Sequence, residues 1–207
     1  MKQASHLITN EADLLALYGE AAEASIVKEV DHIHPVYRPF IEAAPFCVLA
    51  TSGPGGLDAS PRGDGPGFAV VEDERTLLLP DRRGNNRIDS LRNVLADPRV
   101  ALLFLIPGIG ETLRVNGRVS LSVDPDLKAR FAVEGKEPRS ILVVQVERVY
   151  FQCSRAVVRA ELWHPASQVA RSSLPSAGAI LAALTQSRVG GDDYDRALPE
   201  RVKATLY

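Results

Sequence analysis

Leu113-Arg114-Val115-Asn116-Gly117-Arg118-Val119-Ser120-Leu121-Ser122-Val123 alternates apolar or small residues with polar ones along its whole length. Successive side chains of a strand point to opposite faces, so this period of two predicts one long strand with a packed face and a polar face. On its amino-terminal side, residues 100–106 form a continuous apolar run, short enough for a strand buried on both faces and closed by the Pro107-Gly108 turn signal. On its carboxy-terminal side, Asp124-Pro125 opens a short helix to about Ala132, and residues 140–153 return as a strand rich in Val and Ile. Further out, residues 46–51, 57–62, 68–72 and 76–79 read as strands separated by Gly- and Pro-rich turns. One helix interrupts this series at residues 86–97, where Ile88, Leu91, Val94 and Leu95 recur at helical spacing until Pro98.

Helices flank the strands at both ends. Residues 9–30 are expected to be helical, with Thr9 and Asn10 as cap candidates and an interruption at Gly19. A second short helix is expected from Pro35 through Ile41. After Cys153 the period is helical through Trp163, and residues 177–185 and 194–206 form two more helical patches joined by Gly190-Gly191. About six strands with terminal helices and no alternating βαβ units predict an antiparallel barrel of the α+β class. The chain reads as one domain: a helical extension (1–44), a barrel core (45–165) and a helical tail (166–207).

The 207 residues carry 24 Lys and Arg against 26 Asp and Glu, a net charge of −2, which lacks the positive field of a dedicated nucleic-acid binder. Apolar residues make up 45%, which argues for a folded chain. Cys47 and Cys153 stand too far apart in sequence to define a disulfide framework or a zinc knuckle. Neither a signal peptide nor a membrane-spanning run is visible, so a soluble, cytoplasmic protein is expected.

Several motifs fail on context. The glycines at 63, 65 and 67 and at 108 and 110 lead into strands instead of opening helices, so they read as turns and not as a dinucleotide loop. His32 and His34 lack further ligands at metal-binding spacing, no Gly-x-Ser-x-Gly elbow is present, and Cys47 lies in an apolar strand. No metal site and no catalytic constellation is assigned. The informative stretch is Asp81-Arg82-Arg83-Gly84-Asn85-Asn86-Arg87, between a strand and a helix start. Its arginines, amides and helix amino terminus suit an anion. Equally, Asn85 or Asn86 could serve as an ordinary helix cap in a solvated loop. A barrel could bring Arg62 and Arg114 toward the same rim. Trp163, the only tryptophan, has core packing as its simplest role.

Taken in order, Pro45-Phe46, Asp58-Ala59-Ser60-Pro61-Arg62-Gly63-Asp64, Pro66-Gly67-Phe68, residues 79–87, Pro107-Gly108, Thr112-Leu113-Arg114-Val115-Asn116-Gly117, Cys153-Ser154-Arg155-Ala156 and Leu162-Trp163 resemble the pyridoxamine 5′-phosphate oxidase-like proteins of the FMN-binding split-barrel superfamily. The resemblance implies a Greek-key-like split β-barrel, assembled as a homodimer with FMN at the subunit interface. It also implies that Arg62, Arg82, Asn85, Asn86 and Arg87 hold the phosphate and ribityl chain. Pro80, Asp81 and Thr112 would lie along the flavin, with Arg114 beside them, and Arg155 and Trp163 would come from the carboxy-terminal segment. One departure bears on substrate: four residues after Trp163 stands Ser167, where the vitamin-processing oxidases carry Arg-Leu, which speaks against pyridoxamine phosphate as substrate. The function implied is FMN-dependent electron or hydride transfer with a small molecule or a reduced nicotinamide. The alternatives are a flavin storage or sensing protein and a deazaflavin-dependent reductase. Neither nucleic acid nor membrane is an expected partner.

Overall fold

The alternation at residues 113–122 is realised in a computed structural model that describes residues 6–207. In chain order the elements are α1 (Glu11–Tyr18), α2 (Glu23–Ile26), α3 (Arg38–Ala43), β1 (Phe46–Gly53), β2 (Gly56–Gly63), β3 (Val70–Val71), β4 (Thr76–Pro80), α4 (Asp89–Ala96), β5 (Arg99–Leu105), β6 (Thr112–Ser122), α5 (Pro125–Arg130), β7 (Ile141–Gln152), α6 (Arg155–Arg159), α7 (Ala177–Thr185) and α8 (Asp192–Thr205). The amino-terminal extension begins within residues 1–5, which lie outside the described part.

All strands join one antiparallel sheet in the order β2-β1-β5-β6-β7-β4-β3. The meander β5–β6–β7 is thus inserted between two hairpins, β1/β2 and β3/β4. The seven strands against an expected total of about six match the seven runs read one by one, but the 68–72 run shrinks to a two-residue strand, β3, at one edge. The other edge is β2, and it contains Pro61. The β6/β7 ladder breaks register at Asn116/Gly117, where Asn116 pairs with Arg148 but Gly117 with Val146. Glu147 is the extra residue of this bulge, which bends the sheet. Gly117 permits the close approach, since a Cβ there would lie 2.1 Å from the Gln145 carbonyl oxygen.

The packed face of β6 is the one read from the sequence. Leu113, Val115 and Val119 are buried together with Leu49, Phe104, Leu142 and Val144. Each fully buried aliphatic side chain contributes about 1.5–3 kcal/mol, so this face dominates the stability of the barrel. Val123 departs from the pattern: it lies past the end of β6 and is exposed. A smaller cluster of Leu78, Phe131 and Ile141 packs on the opposite face, so β4 and the start of β7 are buried on both sides. Cys47 is fully buried, as its apolar strand suggests, and burial pushes its thiol up to about 12 against the opposing pull of the Arg62 charge.

The helices differ more from expectation. Asn10, not Thr9, caps α1, and Gly19 ends it with φ +69°. The helix expected from Pro35 begins only at Arg38, with Pro39 in its first turn. The long helix expected after Cys153 shrinks to α6, because Glu161 adopts φ +48° and turns the chain. Among the described residues no helix is long and apolar enough to cross a membrane.

Candidate functional site

Four residues close the split in the barrel. Arg62 lies near the end of β2 and Asp64 just past it, while Asp81 and Arg82 follow β4, near the opposite margin of the sheet. Arg62 Nη1 donates to Asp81 Oδ1 at 2.8 Å, and Arg82 Nε donates to Asp64 Oδ2 at 2.7 Å. The two strand ends therefore exchange charges across the gap. Arg82 Nη1 also donates to the Phe131 carbonyl at 2.6 Å, and the Tyr207 hydroxyl donates to Asp64 Oδ1 at 2.6 Å. Burial pushes the Asp64 carboxyl up, but the Tyr207 hydroxyl, the Gly65 N–H and the Arg82 guanidinium together outweigh it and hold the group below its ordinary value.

Beside this closure lies a cavity of about 650 Å³. Arg62, Pro80, Asp81, Arg82, Asn85, Asn86 and Arg87 all line it, so seven of the residues singled out by sequence meet at one place. Arg62 Nε is buried there and has no hydrogen-bond partner among the described residues. Neither Asn85 nor Asn86 caps the following helix, which corrects the helix-cap reading. The helix starts at Asp89 after Ile88, whose φ of +52° is left-handed and whose side chain cannot cap. Instead Asn85 Oδ1 accepts from the Arg87 N–H at 3.0 Å, and Asn86 Oδ1 accepts from Arg139 Nη1 at 2.8 Å. Among the described residues no side chain caps the first N–H groups of α4. The Arg87 guanidinium is bound to Asp89 on the exposed rim.

Sequence reasoning missed Asp58, Ser90 and Arg139 as wall residues. Ser90 Oγ donates to Asp58 Oδ2 at 2.6 Å, tying the first turn of α4 to β2. A period-two reading of β2 places Asp58, Ser60 and Arg62 on one face, which would have found the first of them. Arg139 arrives from just before β7, and no local signal announces it.

Thr112, Arg114, Arg155 and Trp163 do not line the cavity. Arg114 does not join the rim of the arginine loop, because β6 lies three places from β2 in the sheet. Its guanidinium donates instead to the Tyr150 hydroxyl and to Gln152 Oε1. Thr112 opens the same strand opposite Gln152, and Arg155 opens α6. Trp163 Nε1 donates to the Ile109 carbonyl at 2.8 Å, linking the segment after α6 to the β5–β6 turn. The two histidines serve local turns: His32 meets Asp31, and His34 Nδ1 accepts from the Val36 N–H.

An antiparallel split barrel with a basic, amide-rich cavity at its closure defines the class of protein. Residues 33–153 match the family model of pyridoxamine 5′-phosphate oxidase, more than half of the chain, and the chain belongs to that family. No curated protein matches the sequence. Among solved structures it is similar to HupZ of Group A Streptococcus, at 14% identity and a TM-score of 0.48, covering 59% of this chain and 95% of that one. A protein related to general stress protein 26 (pyridoxinephosphate oxidase family) from Clostridium acetobutylicum is 13% identical, with a TM-score of 0.44 and coverage of 56% and 84%. An FMN-binding protein from Syntrophomonas wolfei is also 13% identical, with a TM-score of 0.41 and coverage of 55% and 86%.

Proposed function

We propose that this chain binds FMN in the cavity beside the barrel closure and uses it for electron or hydride transfer to or from a small molecule, such as a reduced nicotinamide. The observation that carries this reading is the uncapped start of α4 opening on a cavity whose wall holds an orphaned Arg62 Nε. A helix amino terminus with guanidinium and amide donors around it suits a phosphate monoester. Arg87, Asn85 and Asn86 take the phosphate and ribityl chain, Arg62 supplies its unused donor, and Pro80 and Asp81 lie along the ring. Bound FMN supplies the electron chemistry. The chain supplies position: Arg62 and Arg82 are oriented by Asp81 and Asp64, and Phe68 and Leu91 give the cavity an apolar side that excludes water. Equilibrium dialysis with FMN and with a deazaflavin tests this. FMN binding is expected, and failure to bind either would overturn the reading. Binding of the deazaflavin alone would replace FMN by that cofactor.

The proposal extends to a homodimer in which Thr112, Arg114, Arg155 and Trp163 approach the flavin from the partner subunit. Support comes from the exposed Val158, Leu162, Val169 and Leu174 around Arg155 and Trp163, apolar surface of the kind that an interface covers. A ligand touching both chains stabilises the associated form by linkage. Sedimentation should therefore show a dimer with FMN at concentrations where the FMN-free protein dissociates. A monomer under both conditions refutes the interface.

A further inference from the structure

Residues 9–27 and 155–189 lie outside the family match at residues 33–153, and both present apolar surface that the single chain leaves open. In the first, α1 buries no residue: Leu14, Leu15, Leu17 and Tyr18 are all exposed, the last two at 67% and 75%. In the second, Val158, Leu162, Leu174, Ile180 and Leu184 are exposed, and Gly178 is the one residue that α6 and α7 bury.

The helix α1 is nonetheless sharply bounded. Asn10 Oδ1 accepts from the Asp13 N–H at 2.9 Å, Asn10 Nδ2 donates to Asp13 Oδ2 at 2.8 Å, and Gly19 closes the other end. A cap contributes about 1 kcal/mol, which does not hold an eight-residue helix in water, because helices this short depend on packing of an apolar face. The packing that α1 needs is therefore supplied from outside its own chain.

The charges say what supplies it. Residues 9–27 carry Glu11, Asp13, Glu20 and Glu23 and no lysine or arginine, whereas residues 155–189 carry Arg155, Arg159, Arg171 and Arg188 against Glu161 alone. Among the described residues none of these groups is ion-paired. One segment is apolar and acidic, the other apolar and basic, so each complements the other in both respects. Their roots lie together as well. Val30 and Val149 exchange both backbone hydrogen bonds, at 3.1 and 2.8 Å, which pins the arm to β7 shortly before that strand ends and α6 begins.

We propose that residues 9–27 form an arm that docks on residues 155–189 of a second copy of this chain, each copy giving one arm and receiving one. Such a contact is made twice about a two-fold axis and closes on itself. The arm exchange builds on the dimer reading by naming what covers the exposed surface around α6 and α7, and it does not depend on the flavin.

Hydrogen exchange of the α1 amides in the full chain, over a range of protein concentrations and with sedimentation of the same samples, tests the exchange of arms. In the wild type these amides should be protected, increasingly so as the dimer forms. Glu20→Arg with Glu23→Arg reverses the arm, and Arg159→Glu with Arg188→Glu reverses the receiving segment. Each double variant faces like charges and should associate about tenfold or more weakly, with α1 protection falling in step and circular dichroism unchanged. An equimolar mixture of the two should regain protection, because in the mixed dimer each arm again meets the opposite charge. Protection indifferent to both reversals overturns the proposal. Recovery when all four substitutions share one chain, without recovery in the mixture, places the arm on its own copy and also overturns it. A dimer whose α1 stays unprotected leaves the dimer reading standing and removes the arm exchange, whereas a monomer throughout removes both. If FMN fails to bind while the mixture regains protection, the flavin reading falls and the arm exchange stands.

Discussion

Arg87 is the side chain on which the phosphate assignment can be tested most directly, because it lies exposed on the rim and, among the described residues, its one ion pair is with Asp89. A charge-assisted hydrogen bond to phosphate contributes about 1.5–3 kcal/mol, so Arg87→Ala should weaken FMN about ten- to a hundredfold, the lower end being expected at an exposed position. Riboflavin lacks the phosphate, and its affinity should stay the same in a fluorescence titration of the same variant. Asp89→Asn releases Arg87 and removes a like charge from the phosphate site, so it should tighten FMN. Its cost is about 0.3–1 kcal/mol of helix stability, the worth of an acidic residue in a first turn. Equal losses for FMN and riboflavin in Arg87→Ala would move the phosphate elsewhere. At this scale the sequence is informative where residues are neighbours or share a strand face: Arg62 and residues 80–87 converge as their spacing suggests. Arg139 reaches the cavity through the β4/β7 ladder, which pairs Pro80 with Ile141 and Asp81 N–H with the Ser140 carbonyl, contacts across tens of residues that no spacing encodes.

The helix α4 shows how an element can be legible in its middle and not at its end. Leu91 and Val94 face the barrel as their spacing predicts, yet the helix starts at Asp89 and not at Asn86. The reason is the left-handed conformation of Asn86 and Ile88, φ +60° and +52°, which interrupts the helical path and is not written in any apolar period. For a β-branched residue this conformation is costly, and strain of that kind persists only where surrounding structure enforces it. The enforcement runs through the docking of α4 on β1. Asn93 Nδ2 donates to Thr51 Oγ1 at 3.1 Å inside the core, and Gly53 lies beneath the same side chain. A Cβ on Gly53 would sit 2.3 Å from Asn93 Oδ1 and 2.9 Å from the Asn93 Cα. Because backbone as well as side chain is in the way, Gly53→Ala should destabilise by about 1–3 kcal/mol, read as a lower denaturation midpoint. A wild-type midpoint would mean that α4 shifts freely on β1. Strand identities, by contrast, follow from the period of two, since burial on one face leaves that signal intact after folding.

Over the whole molecule, the carboxy-terminal helices pack on each other through Ser176, Gly178 and Asp195, and Tyr207 joins them to the barrel closure. That junction depends on pH in both directions. The Asp64 carboxyl is held below 3.8, so its contribution is complete above that value and is lost as pH falls through its lowered titration. The hydrogen bond to Asp64 raises the Tyr207 phenol above 10, so its contribution is complete below 10 and is lost as pH rises through the raised titration. Phenolate absorbance should therefore show a late-titrating tyrosine that disappears in Tyr207→Phe, and superimposable titration curves would refute the contact. The edges of the sheet carry a different consequence. At one margin Pro61 removes a backbone donor from β2, and at the other β3 offers only two residues. Neither margin is a template on which another copy could lay down a further strand, so the fold carries its own protection against fibre growth. Any recognition between copies is left to side-chain surfaces, and crowding the protein to high concentration should produce discrete particles and no extended cross-strand polymer.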